Sequence, residues 1–121
     1  MSSPTAHGPI LVVDDDPDIR EALREILDDA GYRVAVAHHG KRALELLGEI
    51  DRPCMVLLDR MMPEMDGEQF IQRFRQQAAY STVPVILCTA SGSTMIPGVQ
   101  GLLKKPFELD ELLSILRGHC G

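Results

Sequence analysis

Asp14-Asp15-Asp16-Pro17-Asp18 places four carboxylates within the first eighteen residues, directly behind the apolar run Ile10-Leu11-Val12-Val13. A second apolar run, Met55-Val56-Leu57-Leu58, also ends on a carboxylate, Asp59. Two short buried strands that each deliver Asp at their carboxyl ends can converge those acids on one point. Like charges about 4 Å apart repel by about 4 kcal/mol at an effective dielectric of about 20. Such a cluster calls for a compensating cation or a chemical task. Oxygen ligands without competing nitrogens or thiolates suit Mg²⁺, which commonly takes only one or two carboxylates and keeps several waters. A carboxylate is also a nucleophile toward phosphorus. Attack by Asp59 on a phosphoryl group needs the incoming oxygens neutralised, by a divalent ion on Asp15 and Asp59 and by a fixed ammonium. Lys104 and Lys105 stand side by side before Pro106. On an extended chain they face opposite ways, so one of the two reaches the acids. Thr89, after Val85-Ile86-Leu87-Cys88, offers a hydroxyl donor.

The elements that must position these groups alternate along the chain. Apolar runs at Ile10–Val13, Val34–Ala37, Met55–Leu58, Val85–Cys88 and Leu102–Leu103 predict strands. The first, third and fourth are continuous rather than alternating, as strands covered on both faces are. Amphipathic patterns predict helices over Pro17–Ala30, Lys41–Ile50, Glu68–Gln77 and Glu108–Leu116. Asp16 serves as N-cap of the first, Pro17 sits in its first turn and Gly31 stops it. Asp18 is first-turn charge beside that cap. Strand–helix alternation argues a parallel α/β sheet with right-handed crossovers. Ligands in such sheets sit beyond the carboxyl ends of the strands, where Asp14, Asp15, Asp59 and Thr89 all fall. Between Ser91 and Gly101, three Gly and one Pro in eleven residues leave no room for a helix of normal length. The fourth crossover is therefore expected to be a loop or a single turn.

Bulk properties exclude several classes. The 121 residues fit one domain with one packed core. A formal charge of −6 repels phosphate backbones, so no direct nucleic-acid binding is expected. No apolar stretch approaches the roughly 20 residues that cross a bilayer, so no membrane partner is expected. Residues 1–8 lack the basic and apolar regions of a signal peptide and read as a disordered leader. The domain proper is expected over 9–118, with 119–121 as a tail. Cys54, Cys88 and Cys120 show no CxxC spacing and read as reduced, small hydrophobes, which implies a cytoplasmic location. His38-His39 reads as surface loop, because adjacent extended residues point apart. Met61, Met62 and Met65 read as packing beneath the site.

Four motifs in order carry a family resemblance: the acid pair after Leu11-Val12-Val13, Asp59 followed by Met62-Pro63-Glu64-Met65-Asp66-Gly67, Thr89-Ala90, and Lys105-Pro106-Phe107. From about Ile10 to Leu116 the chain resembles the receiver domain of two-component response regulators. The resemblance implies a flavodoxin-like fold, a doubly wound five-stranded parallel sheet of order 2-1-3-4-5. It implies Asp59 as phosphoacceptor, and Mg²⁺ held by Asp14, Asp15, Asp59 and the backbone carbonyl of Met61. Thr89 would hydrogen-bond the phosphoryl group and Lys105 would pair with it, aimed by a cis Lys105–Pro106 peptide. The implied phosphoryl donor is a phosphohistidine on a sensor histidine kinase or His-phosphotransfer protein. The implied output is contact with a downstream protein by a stand-alone regulator, with a homodimer allowed.

Two departures from the family pattern stand out. Leu102 occupies the position, three before Lys105, where the family commonly carries an aromatic that turns inward as Thr moves. The stretch from Thr89 to Lys105 is shorter than usual by roughly one to two helical turns, so the fourth helix is expected short or absent and output through that face altered. These departures motivate an alternative, a phosphorylation-independent pseudo-receiver that serves as an interaction module. A flavin carrier of the same topology fails on charge, since Asp14-Asp15-Asp16 stands where phosphate-cradling donors are needed. A phosphatase of the haloacid-dehalogenase type needs a second Asp two residues after the nucleophile, and that position is Met61. The chain is expected not to be a turnover enzyme.

Overall fold

The computed structural model describes residues 8–59, 67–89, 97–105 and 107–120. Residues 1–7 of the expected leader, the Met61 carbonyl, the Lys105–Pro106 peptide and the connection over 90–96 lie outside the described residues.

Within them the chain forms β1 (Ile10–Val13), α1 (Pro17–Asp29), β2 (Val34–Ala37), α2 (Gly40–Leu47), β3 (Met55–Asp59), α3 (Gly67–Arg75), a 3₁₀ turn (Ala78–Tyr80), β4 (Val85–Thr89), β5 (Gly101–Lys104) and α4 (Leu109–Cys120). The strands pair in parallel in the order β2-β1-β3-β4-β5. This is the expected flavodoxin-like arrangement. No helix among the described residues is long and apolar enough to cross a membrane.

The sheet separates two apolar layers. Leu11, Val13, Val56, Leu58, Val85 and Leu87 pack against α2 and α3 through Ala43, Leu47, Phe70, Ile71 and Phe74. Ile10, Val12, Met55, Leu57, Ile86 and Leu103 pack on the other side against α1 and α4 through Leu23, Leu27, Leu112 and Leu116. This is why β1, β3 and β4 are continuous apolar runs, with every residue buried except the terminal Asp59 of β3. The edge strands β2 and β5 are only half covered.

Local signals set the helix ends. Asp16 Oδ1 accepts from the Asp18 amide at 2.9 Å and caps α1, with Pro17 in the first turn. Gly31, at φ 94°, turns the chain out of the helix. Helix α2 starts at Gly40, one residue before the expected Lys41, and His39 Nδ1 accepts from the Arg42 amide at 3.0 Å as its N-cap. The helix then stops at Leu47 rather than Ile50, since the chain turns at Gly48.

The cysteines overturn an expectation. Cys54 and Cys120 are joined by a disulfide, and Cys88 alone among the three is free. Cys54 directly precedes β3, and Cys120 ends α4, which runs past the expected Leu116. Sheet topology, not local spacing, brings together two residues 66 positions apart, with Cα atoms 5.8 Å from each other. The chain-entropy model credits a link across such a loop with about 4 kcal/mol. The inference from reduced cysteines to a cytoplasmic location therefore does not hold.

Arg75, in the last turn of α3, fastens the segment that leads into β5. Its guanidinium donates to the carbonyls of Tyr80, Val83 and Gly98, each at 2.7 Å, and to Gln100 Oε1 at 2.8 Å. Gln100 Oε1 also accepts from the Val85 amide at 2.7 Å, tying the same segment to the start of β4. Gly98 is required at this crossing: its φ is +88°, and a Cβ there would lie 2.7 Å from Ile71 Cγ2. A lysine at position 75 can satisfy fewer of these acceptors. Arg75→Lys is expected to lower the unfolding free energy by about 2 kcal/mol, measured by urea denaturation. A loss within the roughly 0.5 kcal/mol of ordinary surface changes would show that the fastening is dispensable.

Candidate functional site

Asp14 and Asp15 follow β1, Asp59 ends β3 and Lys105 follows β5, so four groups from three strands meet at the carboxyl edge of the sheet. Strand alternation decides which groups meet. Asp14, Asp59 and Lys105 each stand two residues beyond Val12, Leu57 and Leu103, all of the layer that faces α1 and α4. Lys104 falls on the opposite side and is exposed. Of the two adjacent lysines it is Lys105 that reaches the acids.

One carboxylate oxygen each from Asp14, Asp15 and Asp59 lies within 4.8 Å of the others. The Lys105 ammonium donates to Asp14 Oδ2 at 3.0 Å and stands 3.5 Å from Asp59 Oδ1. Asp14 is 3% exposed and is held from several directions. Its Oδ1 accepts from the Asp16 amide at 2.9 Å, and its backbone amide donates to the Ala37 carbonyl at 3.1 Å. Its carbonyl accepts from Arg20 at 2.8 Å. Asp15 is exposed and Asp59 half-buried, so the cluster opens to solvent on one side.

Burial by itself would lower the Lys105 pKa. The hydrogen bond to Asp14, then the charges of Asp14, Asp59 and Cys88, outweigh that and raise it above the ordinary lysine value. Cys88, in register with Asp59, is pushed up to about 12, chiefly by burial and further by Asp14 and Asp59 against an opposing pull from Lys105. Its thiol stays protonated at neutral pH and supplies no nucleophile. Among the described residues the three carboxylates outnumber the one ammonium that contacts their side chains, at a point rich in hard oxygen donors. That donor set and charge fit a divalent cation, which the cluster can coordinate.

Thr89 ends β4, is buried, and lies on the α2–α3 side by alternation. Its carbonyl accepts from the Lys105 amide at 2.7 Å, so Thr89 and Lys105 are bound through backbone. Leu102 is in register with Leu87 and packs in the same layer. Arg20 was not singled out in the sequence. Its position six residues after Asp14, one turn into α1, is the only signal that it could close on the Asp14 carbonyl.

Fold and site together define a doubly wound α/β domain with a carboxylate cluster at its strand ends. A family model described as "Response regulator receiver domain" matches residues 10–117. Response regulator Rre1 of Synechocystis sp. is 39% identical over 115 residues, covering 89% of this chain and 49% of that protein. Response regulator MprA of Mycobacterium ulcerans is 40% identical over 114 residues, covering 89% of this chain and 48% of that protein. The chain thus spans about half the length of these curated relatives. Among solved structures, chemotaxis protein CheY4 of Vibrio cholerae superposes with TM-score 0.83 at 30% identity, covering 93% of this chain and 98% of that one. The receiver domain of the sensor histidine kinase PA1611 of Pseudomonas aeruginosa, solved with a magnesium ion in its active-site cleft, superposes with TM-score 0.85 at 30% identity, covering 95% of this chain and 98% of that one. The chain belongs to the response regulator receiver domain family, whose members are phosphoacceptor modules.

The balance of charges makes opposite predictions for two substitutions in the absence of divalent cations. Lys105→Ala leaves buried Asp14 without its ion pair and is expected to cost about 2 kcal/mol. Asp59→Asn removes one of the repelling acids, keeps the Asp14–Lys105 pair, and is expected to stabilise by about 1 kcal/mol. Because the folded Lys105 pKa is raised, the stability it contributes is fully present below the unfolded lysine value of about 10.4. It is lost as pH rises through the folded value. Urea melts should show a constant gap between wild type and Lys105→Ala from about pH 7 to 10 that narrows above. A gap that instead closes on acidification within that range would count against this assignment.

Proposed function

We propose that the chain is a phosphoacceptor switch of a His-Asp phosphorelay, in which Asp59 takes a phosphoryl group from a phosphohistidine. The observation that carries this reading is the Lys105 ammonium set between Asp14 and Asp59 with Asp15 alongside. Asp59 Oδ attacks phosphorus, the P–N bond breaks, and the imidazole leaves. Lys105 turns from its carboxylate partners toward the incoming phosphoryl oxygens, which carry the same sign of charge. Mg²⁺ held by Asp14, Asp15 and Asp59, with the Met61 carbonyl as a further ligand, would neutralise those oxygens. The magnesium ion in the cleft of the PA1611 receiver supports the choice of metal.

Thr89 donates its hydroxyl to the phosphoryl group in this reading. Since alternation sets Thr89 on the α2–α3 side, the hydroxyl has to turn over the end of β4, vacating space beside Leu102. Output then runs through that layer to a downstream protein. The donor is a sensor histidine kinase or His-phosphotransfer protein, as the kinase-borne receivers among the structural relatives support. An apolar groove of about 410 Å³, lined by Ile19, Ala22, Leu23, Ile26, Phe107 and Lys105, borders the site and suits a helix presenting the phosphohistidine. A cytoplasmic location belongs to this proposal.

The test is incubation with acetyl phosphate and Mg²⁺ followed by intact mass measurement. Wild type is expected to gain one phosphoryl group, Asp59→Asn none, and chelation of Mg²⁺ to suppress the gain. A folded, Mg²⁺-loaded sample with no adduct from acetyl phosphate or from any phosphorylated kinase would overturn the reading. Leu102 favours the alternative of a phosphorylation-independent interaction module. Equal partner binding by wild type and Asp59→Ala would establish that module instead.

A further inference from the structure

The last turn of α4 has one anchor. Arg117, Gly118 and His119 are exposed, and only Cys120 is buried. Gly118 loses more backbone freedom in a helix than any other residue would, and nothing lies within 4 Å of the place its Cβ would take. Cys120 is held by its bond to Cys54, the residue that leads into the central strand β3. Cys120 is fully buried while Cys54 is partly exposed, so Cys54 is the end of the bond nearer to solvent. The remaining cysteine, Cys88, is buried near the opposite, carboxyl end of β4 and takes no part.

We infer that Cys54 and Cys120 form a reversible redox latch that fixes the end of α4 to the base of β3. Closing it converts two protein thiols to one S–S bond. The two electrons and two protons pass to a low-molecular-weight disulfide, such as oxidised glutathione, which becomes two thiols. Opening reverses this: a thiolate attacks Cys54 Sγ, Cys120 leaves and takes up a proton, and a second thiol releases Cys54. The latch lies at the far end of β3 from Asp59, so the inference is independent of any phosphoryl chemistry. What it controls is the ordering of α4, whose first residues Leu109 and Leu113 line a shallow apolar groove against Ile26 and Ala30 of the α1 side. In the open state the last turn keeps the buried Cys120 thiol, with the partly exposed Cys54 thiol beside it, in place of a covalent tie.

The experiment equilibrates the whole chain in oxidised or reduced glutathione under native conditions, quenches with acid, and alkylates in denaturant. One alkylated cysteine, Cys88, is expected after oxidation and all three after reduction. Amide exchange in residues 117–120 is expected to be at least about tenfold slower in the oxidised protein, and the melting temperature roughly 10 °C higher. Cys54→Ser should exchange like the reduced wild type and ignore glutathione. If that variant fails to fold, the two wild-type states decide the matter alone. Three alkylated cysteines after oxidation would overturn the inference, and so would a bond that native reduction does not open. A bond whose opening leaves exchange at 117–120 unchanged would overturn it as well.

Discussion

The Lys105–Asp14 ion pair is the contact on which the site depends. Three aspartates at neighbouring strand ends repel, and the fold tolerates them because one ammonium, most of its stem covered, lies against the most buried of the three. Lys105 can stand there only because β5 is in register with β4 and because alternation sends positions 103 and 105 to the same side. A slip of one residue would present Lys104 instead and leave Asp14 buried without a partner. The Lys105 amide bonded to the Thr89 carbonyl fixes that register at its last step. The pair is nonetheless only a partial answer to the charge. The remaining carboxylate oxygens are what make the cluster capable of coordinating a dication, so electrostatic cost and chemical capacity share one origin.

How the sheet supports this explains which parts were legible in the sequence. β1, β3 and β4 read directly because burial on both faces leaves no polar residue in them before the terminal acid or threonine. The acids themselves were legible for the same reason: a carboxylate ending a wholly apolar run has to stand at the rim. β5 was drawn too short, because an edge strand carries Gly101 and Lys104, which break an apolar pattern without breaking the ladder. The start of α2 is legible to within one residue, but its cap is not, because histidine is a rarer capping signal than Ser, Thr, Asp or Asn. The Cys54–Cys120 bond left no local trace, since topology alone joins residues so far apart in the chain. Arg75 was equally silent: a basic residue in the last turn of a helix is ordinary, and its acceptors lie on three later segments.

The division of the sheet into two layers also divides labour. Asp14, Asp59 and Lys105 belong to the side of α1 and α4, while Thr89 and Leu102 belong to the side of α2 and α3. In the proposed switch a charge arriving at Asp59 would act directly on one layer and reach the other through a residue at a strand end. Thr89 is such a residue, with a short side chain and a backbone already bonded to Lys105. Leu102, in register with Leu87, fills that layer without a ring.

The same division separates two kinds of constraint on β3. At its carboxyl end Asp59 belongs to the acid cluster. At its amino end Cys54 ties the strand to α4, and α4 packs on the layer that carries the acids. A central strand buried along all but its last residue transmits little by bending, because close-packed neighbours on both faces resist displacement. Its two ends are consequently best regarded as independent. The acids stand at the rim, and the sulfur link joins a helix at the base. The rigid strand between them keeps each from disturbing the other.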